Sequence, residues 1–124
     1  MARKYEEMEK DERISHEIKA LRSLYSKIPK NKKKLADGLI QNAAFMKAEL
    51  FDLQIYIKEN GYTEEYQNGK NQWGTKRSPQ AEQYNTMVKN YTAIIGKLND
   101  LIPKDKTSTN DIDDGFDDFI NDKE

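Results

Sequence analysis

Between Lys27 and Lys34 the chain reads KIPKNKKK, five lysines in eight residues with no carboxylate among them. Ammonium groups held this closely repel one another, and the repulsion is relieved when they replace the counterions condensed on a phosphate backbone. The chemistry on offer is non-covalent: Lys27, Lys30, Lys32, Lys33 and Lys34, with Arg22 upstream, form a candidate nucleic-acid contact. The same run also reads as a solvated linker between two helices, with Asn31 capping the second. A further basic group, Lys70, Lys76 and Arg77, lies near Tyr66 and Trp73, a combination able to grip a nucleic-acid backbone or stack on bases. For Trp73 the preferred reading is packing against the hairpin and the next helix, as is usual for an aromatic at an element boundary.

No catalytic spacing accompanies these groups. His16 is the one histidine and falls on the polar flank of a helix. There is no glycine-rich phosphate loop, nucleophile elbow or metal-ligand spacing. Asp113, Asp114, Asp117 and Asp118 lack the calcium-loop pattern and its closing glutamate. The expectation is a non-enzymatic protein with no catalytic residue, cofactor, metal or small-molecule substrate. No cysteine is present, no apolar run approaches the ~20 residues that span a bilayer, and the opening MARKYEEMEKDER has no signal-peptide core. A soluble intracellular protein with no membrane partner is therefore expected.

The elements that must position these groups follow from patterning. With 124 residues, 35% apolar and 35% charged, there is little material for a self-sufficient core, which favours an extended helical protein with partners. Charge is uneven. Residues 1 to 34 carry 11 Lys/Arg against 6 Asp/Glu, residues 35 to 106 carry 9 of each, and residues 107 to 124 carry one lysine against 7 acids. Three regions are expected: an N-terminal helix and basic linker (1–34), a helical hairpin that forms the oligomerisation core (35–103), and an acidic, flexible, disordered tail (104–124). The fold class is all-α.

Ile14, Ile18, Leu21, Leu24, Tyr25 and Ile28 make one stripe of a first helix over residues 5–28, fraying at its start and stopped by Pro29. Its glutamates and lysines read as a solvated face. A second helix runs from about Lys32 to Asn60, with Leu35, Leu39, Ile40, Ala43, Met46, Leu50, Leu53, Tyr56 and Ile57 on its apolar side and Gly61 as its stop. Phe45 and Phe51 lie off that stripe and are candidates for an interface between copies. A third helix from Pro79 to Leu101 opens on Ser78 as N-cap and is ended by Pro103. Its apolar side, with Tyr84 and Tyr91, is wider than one facing helix can cover, so these tyrosines join the interface candidates. Between the two helices, Glu59 to Tyr84 holds the only tryptophan. A short β-hairpin is expected there: Thr63 to Gln67 as one strand, Asn68-Gly69 as a two-residue turn, Lys70 to Trp73 as the return, and Gly74 as its break. In the tail, Ile112, Phe116, Phe119 and Ile120, interleaved with Asp113 and Asp117, follow the spacing of a short acidic helix that seats in a partner's groove. A solubilising tail is the other reading.

Three segments, KKKLADGLIQNAAFMKAELFDLQ, IKENGYTEEYQNGKNQWGTKRSP and AEQYNTMVKNYTAIIGKLNDLIP, together resemble the phage terminase small subunit family in its short form from phages of Gram-positive bacteria. The likeness spans Lys32 to Pro103, and its most specific piece is NG-x-x-x-x-G-x-K-x-S-P. It implies a subunit that assembles into a ring in the host cytoplasm and recognises the packaging-initiation region of double-stranded viral DNA. It also implies recruitment and regulation of a large subunit that carries the ATPase motor and the nuclease. Some family members have an N-terminal helix-turn-helix; here Pro29 and the lysines stand where a tight turn would be, so a less sequence-specific basic surface is expected. A helical scaffold without a DNA role, or a small regulator acting through its acidic tail, are the other classes the residues allow.

Overall fold

The computed structural model describes residues 4–104. Helix α1 spans Lys10–Leu24, α2 Lys33–Asn60 and α3 Pro79–Leu101, with strands β1 (Thr63–Gln67) and β2 (Trp73–Arg77) between α2 and α3. The described chain is mostly helical, with one two-stranded antiparallel sheet. At 28 residues, α2 is about 42 Å long at 1.5 Å per residue, and it forms the spine: α1 and α3 both pack on it, each running antiparallel to it. No described helix is long and apolar enough to cross a membrane. The tail candidates Ile112, Asp113, Phe116, Asp117, Phe119 and Ile120 lie outside the described residues.

The core collects Leu21 from α1, Tyr25 and Ile28 from the turn after it, Ala36, Ile40, Ala43 and Ala44 from α2, and Leu98 from α3. Small side chains on α2 let its neighbours approach closely: Ala43, Ala44 and Ala48 are completely buried. The limits of α2 and α3 follow local chemistry. Gly61 takes φ 80° beyond α2, a conformation that suits glycine, and its N–H donates to the Ile57 carbonyl at 2.7 Å. Ser78 Oγ accepts from the Ala81 N–H at 3.1 Å, and Pro79 occupies the first helical position.

Helix α1 departs from expectation at both ends. It stops at Leu24, not at Pro29: Tyr25 leaves helical geometry (φ −104°, ψ 29°), and the next N–H groups close short turns, Ser26 to Ser23 and Ile28 to Tyr25. Unwinding here carries Tyr25 and Ile28 into the core and leaves Leu24 68% exposed, so burial of two large side chains outweighs another turn of helix. At its other end α1 begins only at Lys10, so the expected first turns are not α-helical. A short 3-10 turn over Tyr5–Glu7 packs back on α2, its Tyr5 ring edge-on to Phe51 at 5.2 Å. Glu17, expected on a solvated face, is buried and lies 3.4 Å from Lys47 Nζ.

The hairpin forms with a different turn and return strand. Gln67 pairs with Trp73 and Thr63 with Arg77, so β2 starts where the return strand was expected to end. Residues 68–72 make the loop, closed by Asn68 N–H to the Gln72 carbonyl (2.8 Å) and Gln72 N–H to the Gly69 carbonyl (3.3 Å). Gly69 (φ 99°) and Asn71 (φ 64°) share the positive φ that the loop needs, which is why a two-residue Asn-Gly turn does not form. Gly74 sits inside β2 opposite Tyr66 and does not break it; a side chain there would meet the Tyr66 ring at 3.0 Å. The missing Cβ makes room for the tyrosine ring across the strand pair.

Candidate nucleic-acid interface

The lysine run occupies the corner between α1 and α2. Lys30–Lys32 form a 3-10 turn, and Lys33 and Lys34 begin α2. Asn31 does not cap the helix: it is inside that turn, and the N-cap position falls on Lys32, which makes no side-chain cap. The first turn of α2 contains no acid, so the positive end of the helix dipole and several ammonium groups share one corner, although the Lys32 and Lys33 N–H groups already donate to the Pro29 and Lys30 carbonyls of the preceding turn. That arrangement favours an anion.

Lys27, Lys30, Lys32, Lys33 and Lys34 are all exposed. Lys33 Nζ donates to the Ser26 carbonyl at 2.8 Å; no described carboxylate lies within salt-bridge distance of any of the five. Arg22 differs. Its Nε and Nη2 donate to the two Asp37 oxygens at 2.8 and 3.1 Å, a fork that fixes α1 to α2 across the corner. The Arg22 guanidinium, then the Gln41 amide at 2.9 Å, hold the Asp37 carboxyl below the usual carboxylate range. Asp37 is the acid nearest the lysines in α2, and Arg22 already offsets its charge. The pair borders an open groove of about 630 Å³ between the end of α1 and the start of α2, floored by Tyr25, Ala36 and Ile40 and edged by Lys33 and Lys34.

The other basic group lies at the far end of α2. Lys76 is 3.7 Å from Glu64 and 5.6 Å from the centre of the Tyr66 ring, on one face of the ribbon. Lys70 lies in the exposed loop and Arg77 on the opposite face of β2. Trp73 was expected to pack, yet it is 65% exposed, as is Tyr62: the ribbon projects from the helices and leaves most of the indole uncovered by the described residues. The length of α2 therefore keeps the two basic groups about 40 Å apart in one copy.

Of the four interface candidates, three have contacts within the chain. Phe51 is covered by Tyr5 and by the Arg13 guanidinium, 4.2 Å from its ring centre. Tyr84 Oη accepts from Gln54 Nε2 at 3.2 Å. Tyr91 packs half-buried on the core, its phenol pushed up by burial and by Glu17. Phe45 remains 50% exposed on α2.

Sequence reading missed the network that seats the N-terminal segment. Arg13 donates to Asp52 Oδ1 (3.2 Å) and to the Tyr5 and Glu6 carbonyls (3.1 and 3.4 Å), while Lys10 pairs with Glu49 and Asp52. Cations and acids with the same spacing occur on any solvated helix, so only the crossing of α1 over α2 identifies them. Among the described residues, no three His, Asp or Glu side chains converge to hold a metal ion. No protein-family profile, curated protein or solved structure matches the chain.

Proposed function

We propose that the chain is the small subunit of a viral DNA-packaging terminase. In this reading it binds double-stranded viral DNA at the packaging-initiation region through the basic corner of its bundle and assembles with copies of itself into a ring. Its acidic tail recruits and regulates the large ATPase and nuclease subunit. The role asks for no catalytic residue of its own.

One observation carries the DNA contact: five lysines gathered at the corner between α1 and α2 have no carboxylate partner among the described residues, and the nearest acid in α2, Asp37, is already paired with Arg22. An uncompensated cluster at a positive helix end gains most from phosphate, through release of counterions from the duplex. A duplex can also reach Lys70 and Arg77 on the same copy only by running along α2 for its length.

The test is duplex binding by Lys30→Ala/Lys32→Ala/Lys34→Ala, read over a range of salt concentrations. Affinity should fall by about tenfold or more at ~0.1 M salt, and the dependence on salt should flatten by roughly one unit of slope per lost phosphate contact. Unchanged affinity and slope would overturn the assignment. Native mass spectrometry adds the assembly state: a ring that ignores duplex assigns a scaffold instead.

A further inference from the structure

Helix α3 ends on the side of the bundle where Tyr25 turns toward the lysine corner. Leu98 is completely buried, Asn99 Oδ1 accepts from Tyr25 Oη at 2.7 Å, and Leu101 and Ile102 pack on the core cluster that Tyr25, Ile28 and Ala36 share with α2 and Leu98. Tyr25 and Ala36 are also the floor of the open groove beside Lys33 and Lys34. The last described residue, Lys104, follows Ile102 by two positions and so lies at the end of the bundle where Tyr25 meets Asn99.

The sequence beyond it fits that surface. Residues 111–120, DIDDGFDDFI, hold five aspartates and no cation, matching the five lysines of residues 27–34, and they interleave two phenylalanines and two isoleucines. Seven residues separate Lys104 from Ile112, a reach of roughly 25 Å when extended, so the segment can arrive without disturbing the bundle. The groove, about 630 Å³, is large enough for aromatic side chains, and the same end of the bundle also exposes Leu24 and Leu35.

We propose that residues 111–120 dock in this groove of their own chain, Phe116 and Phe119 on its floor and the aspartates against Lys30, Lys33 and Lys34, so that the tail masks the basic corner. Resting on the DNA reading above, masking makes the tail a competitor of DNA: a duplex must displace it, and a partner protein that captures the tail uncovers the lysines. Recruitment of the partner and exposure of the DNA surface become one event.

Carbodiimide cross-linking of the full chain, with peptides identified by mass spectrometry, tests the docking. Zero-length links should join the tail aspartates to Lys30, Lys33 and Lys34, and should disappear in Phe116→Ser/Phe119→Ser, which keeps every charge. Links that survive in that variant, or that spread evenly to Lys70, Lys89 and Lys97, overturn the proposal. Mixing isotope-labelled and unlabelled chains separates the remaining case, and links between chains overturn docking within one chain. Duplex binding tests masking. A tail docked in nine molecules of ten weakens apparent affinity about tenfold, so the phenylalanine variant should bind DNA about that much more tightly than the unchanged chain; equal affinity overturns masking. If neither protein binds duplex, the DNA reading fails while the cross-links still decide the docking.

Discussion

Arg13 shows how a single side chain does work that its type does not announce. Its guanidinium lies over Phe51 and donates to Asp52 and to two carbonyls of the N-terminal turn, uses that need a planar fork and not simply a positive charge. Arg13→Lys should therefore lower stability to urea by about 1–2 kcal/mol, combining the lost stacking and the lost fork. It should also speed hydrogen exchange in residues 5–9; an unchanged exchange pattern would mean that Tyr5 alone seats the segment. The tyrosines set a limit at high pH. Burial raises the pKa of Tyr5, Tyr25 and Tyr91, with Glu17 adding to Tyr5 and Tyr91. A folded pKa above the unfolded value of about 10 means the fold favours the neutral phenol, so this stability is complete below pH ~10 and is lost as pH rises through the folded values. Lys10, raised chiefly by its bond to Glu49, acts in the same direction. Urea midpoints should fall across that alkaline range as tyrosinate absorbance appears. In Tyr25→Phe the fall should be shallower, because the Tyr25 hydroxyl that donates to Asn99 is already gone.

Among the elements, α2 owes its role to what it lacks. Ala43, Ala44 and Ala48 present no bulk between α1 and α3, so Ala44→Leu should overpack the crossing and cost about 1–3 kcal/mol, read from thermal unfolding. A stabilised variant would show that the crossing has room to spare. Ser78→Ala should cost about 1 kcal/mol, since it removes the acceptor for Ala81 N–H at a buried position. What could be read beforehand divides along the same line. The end of α2 and the start of α3 were legible because Gly61 acts through its own backbone and Ser78-Pro79 through a local side-chain cap and a fixed φ. The end of α1 was not, because it depends on where Tyr25 and Ile28 find a core. The alanine row was faint because alanine contributes little to an apolar stripe, and the hairpin register was missed because two positive-φ residues, Gly69 and Asn71, share the loop. At the candidate interface, the lysines were plain from composition, whereas the withdrawal of Arg22 to Asp37 depends on a turn that brings residues 15 apart together.

For the whole molecule, the proposed assembly can be tested through the arrangement of apolar surface. Phe51, Tyr84 and Tyr91 already serve the single chain, and a residue that holds the monomer together is a poor probe of assembly, since its loss weakens both. Phe45 is half exposed on the spine helix, so a charge there should disturb contacts between copies far more than the fold. Phe45→Glu should leave the helical circular dichroism and the melting temperature close to those of the unchanged chain while moving the native mass distribution toward monomer. Phe51→Ala should do the reverse, lowering stability by about 2–3 kcal/mol through loss of its packing with Tyr5 and Arg13, with assembly affected only as far as the fold is. Masses that stay unchanged in Phe45→Glu would remove this flank of α2 from the interface. The next surfaces to test would be the projecting ribbon, with Trp73 and Tyr62, and the end of the bundle that exposes Leu24 and Leu35.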